Sequence, residues 1–219
     1  MVPKITFIHT MPALTTTFSQ LCQQILPPQV ELLHIADEIL LRVVLAQGGL
    51  SPFIFRRVAQ HVIAAEEAGA TLVQFTCSSI SPCASICSQL VTIPVLKIDE
   101  PMVDRALELG SRISVIATAP TTLKPTTNLV KQQAAHKGQD VQVEATLVEG
   151  ALAALLSGNQ QEHDRLVRTC IFHQMQHAQV VILAQASMAR LLDTIPAQEQ
   201  VVPLLTSPRL AIERLCTYL

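Results

Sequence analysis

Residues 70–83 read ATLVQFTCSSISPC: an apolar run, then Cys77 among the serines Ser78, Ser79 and Ser81, then Pro82. The run up to Phe75 shows no polar alternation, so it reads as a short strand buried on both faces. Ser78 or Ser79 then caps a helix, with Pro82 at an early helical position. A buried strand that passes straight into a helix is the repeating unit of parallel α/β folds.

The same pattern recurs on either side. KITFIHT from Lys4, QVELLHIA from Gln29 and IPVLKI from Ile93 are further short apolar runs, and Pro52 to Gly69 carries a helical pattern. The second half repeats the first: RISVIATAP follows KITFIHTMP, AQVVILAQASMARL follows ATLVQFTCSSISPC, and VVPLLTSPRLAIERL follows TIPVLKIDEPMVDRAL. Ile5 and Ile113 are 108 apart, Cys77 and Ala186 are 109 apart, and Pro94 and Pro203 are 109 apart. Such constancy predicts two similar α/β lobes with mainly parallel sheets, related by a pseudo-two-fold. The expected boundary is near Gly110, giving lobes over 1–109 and 110–219. Asp99 to Glu108 is expected to cross between them, and the C-terminal helix to return to the first.

Ligands of open α/β sheets bind beyond the carboxyl ends of the strands. A cleft between the lobes is expected there, lined by the loops His9–Thr16, Thr76–Ser81, Thr118–Thr122 and Gln185–Met188. These loops are rich in small hydroxyl residues, with Lys124 and Arg190 only at their edges. Backbone N–H groups and hydroxyls of this kind suit a small carboxylate.

Composition narrows the classes. Of 219 residues, 49% are hydrophobic and 15% charged, which describes a well-buried globular chain. The net charge is −2 and no basic stripe occurs, which argues against nucleic acid as a partner. Mean hydropathy is +0.39, yet no apolar run reaches the roughly 18 residues of a spanning helix, so no membrane partner is expected. MVPKITFIHT reads as a first strand rather than a signal peptide. The six cysteines include no CxxC pair, which fits a reduced, cytoplasmic protein.

Cys77 ends a strand before a helix, where the helix dipole favours a thiolate able to act as nucleophile or general base. An inert buried cysteine at a turn is the competing reading. Cys83 and Cys87 share a helix face, and His173 and His177 have the same spacing. Neither pair has the further ligands of a metal site, and no metal is expected. His9 ends the first strand, Asp37 and Glu38 follow the second, and both positions point toward the expected cleft; a core histidine and a capping aspartate are the plainer alternatives.

FTCSSIS after a strand, IATAPTTLKP opening the second half, and the two-lobe repeat resemble the aspartate/glutamate/hydantoin racemase superfamily over essentially the whole chain. The resemblance implies a cofactor-independent isomerase of small carboxylic or amino acids, with two cysteines on opposite faces of the substrate Cα. It also embraces decarboxylases and maleate isomerases. Carried over, Cys77 matches the first catalytic cysteine, Ser78 and Ser79 the carboxylate-binding residues, and Thr118 and Thr121 the hydroxyls of the second lobe. Thr10 and Ser187 complete the expected substrate contacts, and a homodimer is expected.

Ala186 falls where the second cysteine is expected. Alanine has no proton to exchange, so three readings stand: Cys77 acts alone, His9 supplies the second acid/base, or the alanine replaces an original cysteine. A catalytically silent carboxylate-binding protein on the same scaffold is the alternative from another class.

Overall fold

The computed structural model describes residues 2–219. The chain divides into two compact units. One gathers the residues up to Ile98 together with Pro208–Leu219, and the other is Asp99–Ser207.

The first unit runs β1 (Lys4–His9), α1 (Leu14–Ile25), β2 (Glu31–Ala36), α2 (Glu38–Gln47), α3 (Pro52–Glu67), β3 (Leu72–Phe75), the short α4 (Ala84–Cys87) and β4 (Val95–Leu96). Its four strands lie in the order β2-β1-β3-β4, all parallel. The central strand β1 is buried from Ile5 to His9 and β3 along its whole length, as strands covered on both faces must be. Asp37 caps α2, its carboxylate accepting from the Ile39 N–H at 3.1 Å. Gly48 ends that helix at φ 68°, in the left-handed region that glycine reaches without a Cβ penalty. Ile8, Val73 and Phe75 pack with Leu40, Val44, Ile54, Val58 and Val62 of the helices, and Ile80 closes the same core from the turn after β3.

The second unit runs α5 (Glu100–Leu109), β5 (Arg112–Ala117), α6 (Pro120–His136), β6 (Gln142–Leu147), α7 (Ala151–Leu156), α8 (Gln160–Gln174), β7 (Val180–Leu183) and β8 (Leu204–Thr206). Its strand order, β6-β5-β7-β8, again all parallel, repeats that of the first. Ile116, Val181 and Leu183 pack with Val167 and Ile171 of α8, and Met188 closes this core as Ile80 closes the other. The last helix, α9 (Ser207–Leu215), lies with the first unit from Pro208 onward. Among the described residues, no helix is long and apolar enough to cross a membrane.

The helix expected directly after Cys77 is not there. Residues 78–80 form a turn, Ser81–Cys83 a single 3₁₀ turn, and only Ala84–Cys87 is α-helical. The serines compete for backbone hydrogen bonds, and Pro82 lacks the N–H that an α-helix begun at Ser78 would need for the Ser78 carbonyl. A helix dipole at Cys77 is therefore a weak argument for a thiolate.

Candidate active site

In the first unit the carboxyl ends of β1 and β3 carry the residues of interest. The Thr76 N–H continues the sheet by donating to the Ile8 carbonyl at 3.1 Å. The next residue, Cys77, begins a turn in which its own carbonyl accepts from the Ile80 N–H at 3.2 Å and the Ser78 carbonyl from the Ser81 N–H at 3.3 Å. Ile80 is fully buried, so the turn is anchored by core packing. Cys77 is half-buried, while Thr10, Ser78 and Ser79 are buried around the same strand ends.

Among the other thiols, burial pushes Cys22 and Cys83 up to about 12, with Cys87 adding to the shift at Cys83. Burial pushes Cys87 and Cys170 up to about 11, with Glu144 adding to the shift at Cys170. These four are neutral thiols near neutral pH. Cys216 is exposed in the 3₁₀ turn Cys216–Tyr218, away from any strand end. Among the described residues, Cys77 is thus the one cysteine that stands at the carboxyl end of a strand.

His9 has no exposed surface. Its Nδ1 lies 3.1 Å from Thr76 Oγ1 and its Nε2 lies 2.9 Å from His34 Nδ1. The rings of Phe7 and His34 stack with it, and Phe18 meets it edge-on. Burial, and after it the neighbouring His34, lower the His9 pKa to about 4. A neutral ring with both nitrogens engaged is poorly suited to collect or deliver a proton at a substrate. Asp37 is also committed, capping α2 and accepting from Arg57 and from His61, the latter at 2.7 Å. Burial alone raises its pKa; hydrogen bonds from Arg57 and His61 and their charges outweigh this and hold it below the ordinary value.

In the second unit the carboxyl ends of β5 and β7 meet through one side chain. Gln185 Oε1 accepts from the Thr118 N–H at 2.6 Å and from the Thr118 hydroxyl at 2.9 Å. Thr121 is buried near the start of α6, and its Oγ1 has no hydrogen-bond partner among the described residues. Ser187 is half-buried. Arg190 holds the segment after β7 to α8 by pairing with Asp164, whose other oxygen contacts include His163 Nδ1 at 2.7 Å.

Hydrogen bonds at the strand ends give the true correspondence between the units. Thr76 N–H pairs with Ile8, and Ala184 N–H pairs with Ile116; Ile80 N–H pairs with Cys77, and Met188 N–H pairs with Gln185. All these positions differ by 108 in number, so the counterpart of Cys77 is Gln185. The offset becomes 109 only later, where Val73 N–H pairs with Pro94 and Val181 N–H with Pro203. One extra residue therefore lies between Met188 and Pro203. The expectation that Ala186 stands at the second-cysteine position is corrected: Ala186 is the counterpart of Ser78, and Ser187 of Ser79. Among the described residues, no group of three or more His, Cys, Asp or Glu is arranged to hold a metal ion.

A family model described as Asp/Glu/Hydantoin racemase matches residues 13–215. No curated protein matches the chain. Solved structures do. A glutamate racemase from Francisella tularensis subsp. tularensis SCHU S4, in complex with D-glutamate, is 19% identical at a TM-score of 0.75, covering 99% of this chain and 80% of that one. An aspartate racemase from Picrophilus torridus is 12% identical at 0.72, covering 99% and 94%. An allantoin racemase from Klebsiella pneumoniae is 19% identical at 0.65, covering 98% and 86%. At these identities the likeness is one of fold.

Proposed function

The chain belongs to the Asp/Glu/hydantoin racemase family, matched over residues 13–215, and on that premise we propose that it is an enzyme that moves a proton at the α-carbon of a small carboxylic or amino acid. Cys77 is the acid/base. Ser78 and Ser79 supply hydroxyls for the carboxylate, with Thr10 beside them. Thr118 and Ser187, the counterparts of Thr10 and Ser79, serve from the second unit, together with Thr121 near the start of α6.

The observation that carries this reading is the pair of counterparts Cys77 and Gln185. A thiolate takes a proton from a carbon acid and a thiol returns it. A carboxamide does neither near neutral pH, and this one has its oxygen bound to Thr118. With one acid/base, the Cα–H bond breaks, the electron pair delocalises into the carboxylate, and the same sulfur returns the proton to the same face. Exchange with retention is the expected outcome, and full racemisation is not.

The same glutamine supports a second reading, decarboxylation. There the Cα–C bond to a departing carboxylate breaks, carbon dioxide leaves, and the carbanion takes one proton from the Cys77 S–H, which water then restores. That sequence needs a donor on one face only.

The experiment is proton NMR in deuterium oxide with a panel of amino acids, hydroxy acids and malonates, using the wild-type chain and Cys77→Ser. The enzyme reading expects Cα deuteration or release of carbon dioxide that vanishes in Cys77→Ser. Thermal stabilisation by a carboxylate with neither reaction would make the protein a binding module.

A further inference from the structure

A line of side chains runs within the first unit from the residue before Cys77 to helix α1. Thr76 Oγ1 lies 3.1 Å from His9 Nδ1, His9 Nε2 lies 2.9 Å from His34 Nδ1, and His34 Nε2 lies 3.1 Å from Ser19 Oγ. Ser19 then donates to the Thr15 carbonyl at 2.9 Å. The sheet dictates this line. Phe7 and His34 are partners across β1 and β2, so His34 shares a face with Phe7 and, two residues on, with His9. Thr76 and His9 are buried, and His34 and Ser19 are half-buried.

Counting protons from the Thr15 end gives the line a direction. A carbonyl only accepts, so the single Ser19 proton goes to Thr15 and the Ser19 oxygen accepts from His34 Nε2–H. His34 Nδ1 is then a lone pair that accepts from His9 Nε2–H. His9 Nδ1 and the Ile8 carbonyl then both face the single Thr76 hydroxyl proton, each at 3.1 Å. Read from the Ile8 end, the same count puts the His9 proton on Nδ1; four protons serve five contacts, no tautomer is fixed, and both rings are neutral. The lowered pKa of each ring agrees with this state.

We propose that His9 and His34 are positioning residues for Cys77: through the Thr76 hydroxyl they fix the strand end from which the cysteine turn departs. The inference rests on the reading of Cys77 as the reacting group. It assigns a role to two residues that touch no substrate, and it explains why a polar pair sits inside a core of Phe7 and Phe18 at an unavoidable desolvation cost.

The test uses the intact chain with Thr76→Val, Thr76→Ser, His34→Leu and His34→Gln, each checked for cooperative thermal unfolding. Nitrogen NMR of the wild-type histidines is expected to show His9 and His34 neutral near pH 7. Thr76→Val and His34→Leu are expected to shift the alkylation rate of Cys77 by iodoacetamide while the exposed Cys216 reacts as before, and Thr76→Ser and His34→Gln, which keep a donor and an acceptor, to recover most of the wild-type rate. Where a substrate is in hand, the loss falls in kcat rather than KM and is on the order of 10²-fold, the scale of a misplacement of about 1 Å. A Cys77 alkylation rate indifferent to His34→Leu would overturn the proposal. Absence of Cα exchange in the wild type, with the alkylation dependence intact, sinks the enzyme reading and leaves the positioning role supported.

Discussion

Gln185 takes both hydrogen bonds that Thr118 offers, N–H at 2.6 Å and hydroxyl at 2.9 Å, onto one side-chain oxygen. The counterpart of Thr118 in the first unit, Thr10, has no such clamp, because the position equivalent to Gln185 there is Cys77. One strand end thus carries a group that can exchange protons, and its repeat carries a group that ties two loops together.

The first prediction follows from that difference. Gln185→Cys is expected to convert exchange with retention into racemisation, with a gain on the order of 10²–10⁴, the usual contribution of one general acid–base group. Ala186→Cys, one residue away, is expected to gain nothing. Chiral chromatography of product from the two variants decides it, and equal gains would undo the register argument.

Thiol labelling gives the second. Cys22, Cys83, Cys87 and Cys170 are held as neutral thiols by burial and are expected to label slowly in the native state. Cys77 and the exposed Cys216 are expected to label first. A carboxylate that binds protects Cys77 and leaves Cys216 unaffected. Mass spectrometry of the peptides after short iodoacetamide pulses reads this, and protection of Cys216 instead would relocate the ligand.

The third concerns acid stability. His9 holds a proton only below a pKa of about 4 in the folded state against 6.5 when unfolded. Between those values the unfolded chain binds more protons, so stability rises with pH and is lost on acidification from about 6.5 to about 4. A shift of this size is worth about 3 kcal/mol, and the lowered His34 acts in the same direction. Urea midpoints at pH 7 and 4.5 are expected to differ accordingly, and His9→Leu to flatten the dependence in this window. An unchanged slope in that variant would contradict the buried neutral histidine.

Asp37 gives the fourth, in a lower window. Its folded pKa lies below the ordinary 3.8 because the Arg57 and His61 hydrogen bonds outweigh burial. Its ion-pair contribution is therefore complete above that value and disappears as the pH falls through the folded one. Asp37→Asn keeps the acceptor for Ile39 and is expected to lose the acid dependence with little loss of capping. Asp37→Ala is expected to cost about 1 kcal/mol more, the usual worth of an N-cap. Chemical denaturation of the two variants separates cap from charge.

Much of this was legible in the chain. Consecutive apolar residues at Ile5, Val73, Val115 and Val181 mark strands buried on both faces, and their spacing marks the repeat. The edge strand β6 was not marked, because Gln142, Glu144 and Ala145 are exposed and leave no apolar run. The offset of 109 at Pro94 and Pro203 puts Ala186 opposite Cys77, but the extra residue lies between Met188 and Pro203, and only the strand-end bonds reveal that. The bonds of His9 were out of reach, since they depend on which residue of β2 stands opposite Phe7. Periodicity reports which face a residue occupies, and register decides whom it meets.

The division of the chain also bears on the order in which the protein is completed during synthesis. Asp99–Ser207 is one continuous stretch and has every residue of its unit once Ser207 has left the ribosome. The other unit does not. Its buried Ala211, Ile212 and Leu215 belong to α9 and emerge after Ser207. Until they do, the apolar surface they cover stays open to water, although its strands were translated first. For this chain the usual rule that the N-terminal domain folds ahead of the rest runs backwards: the half that is made first is sealed last.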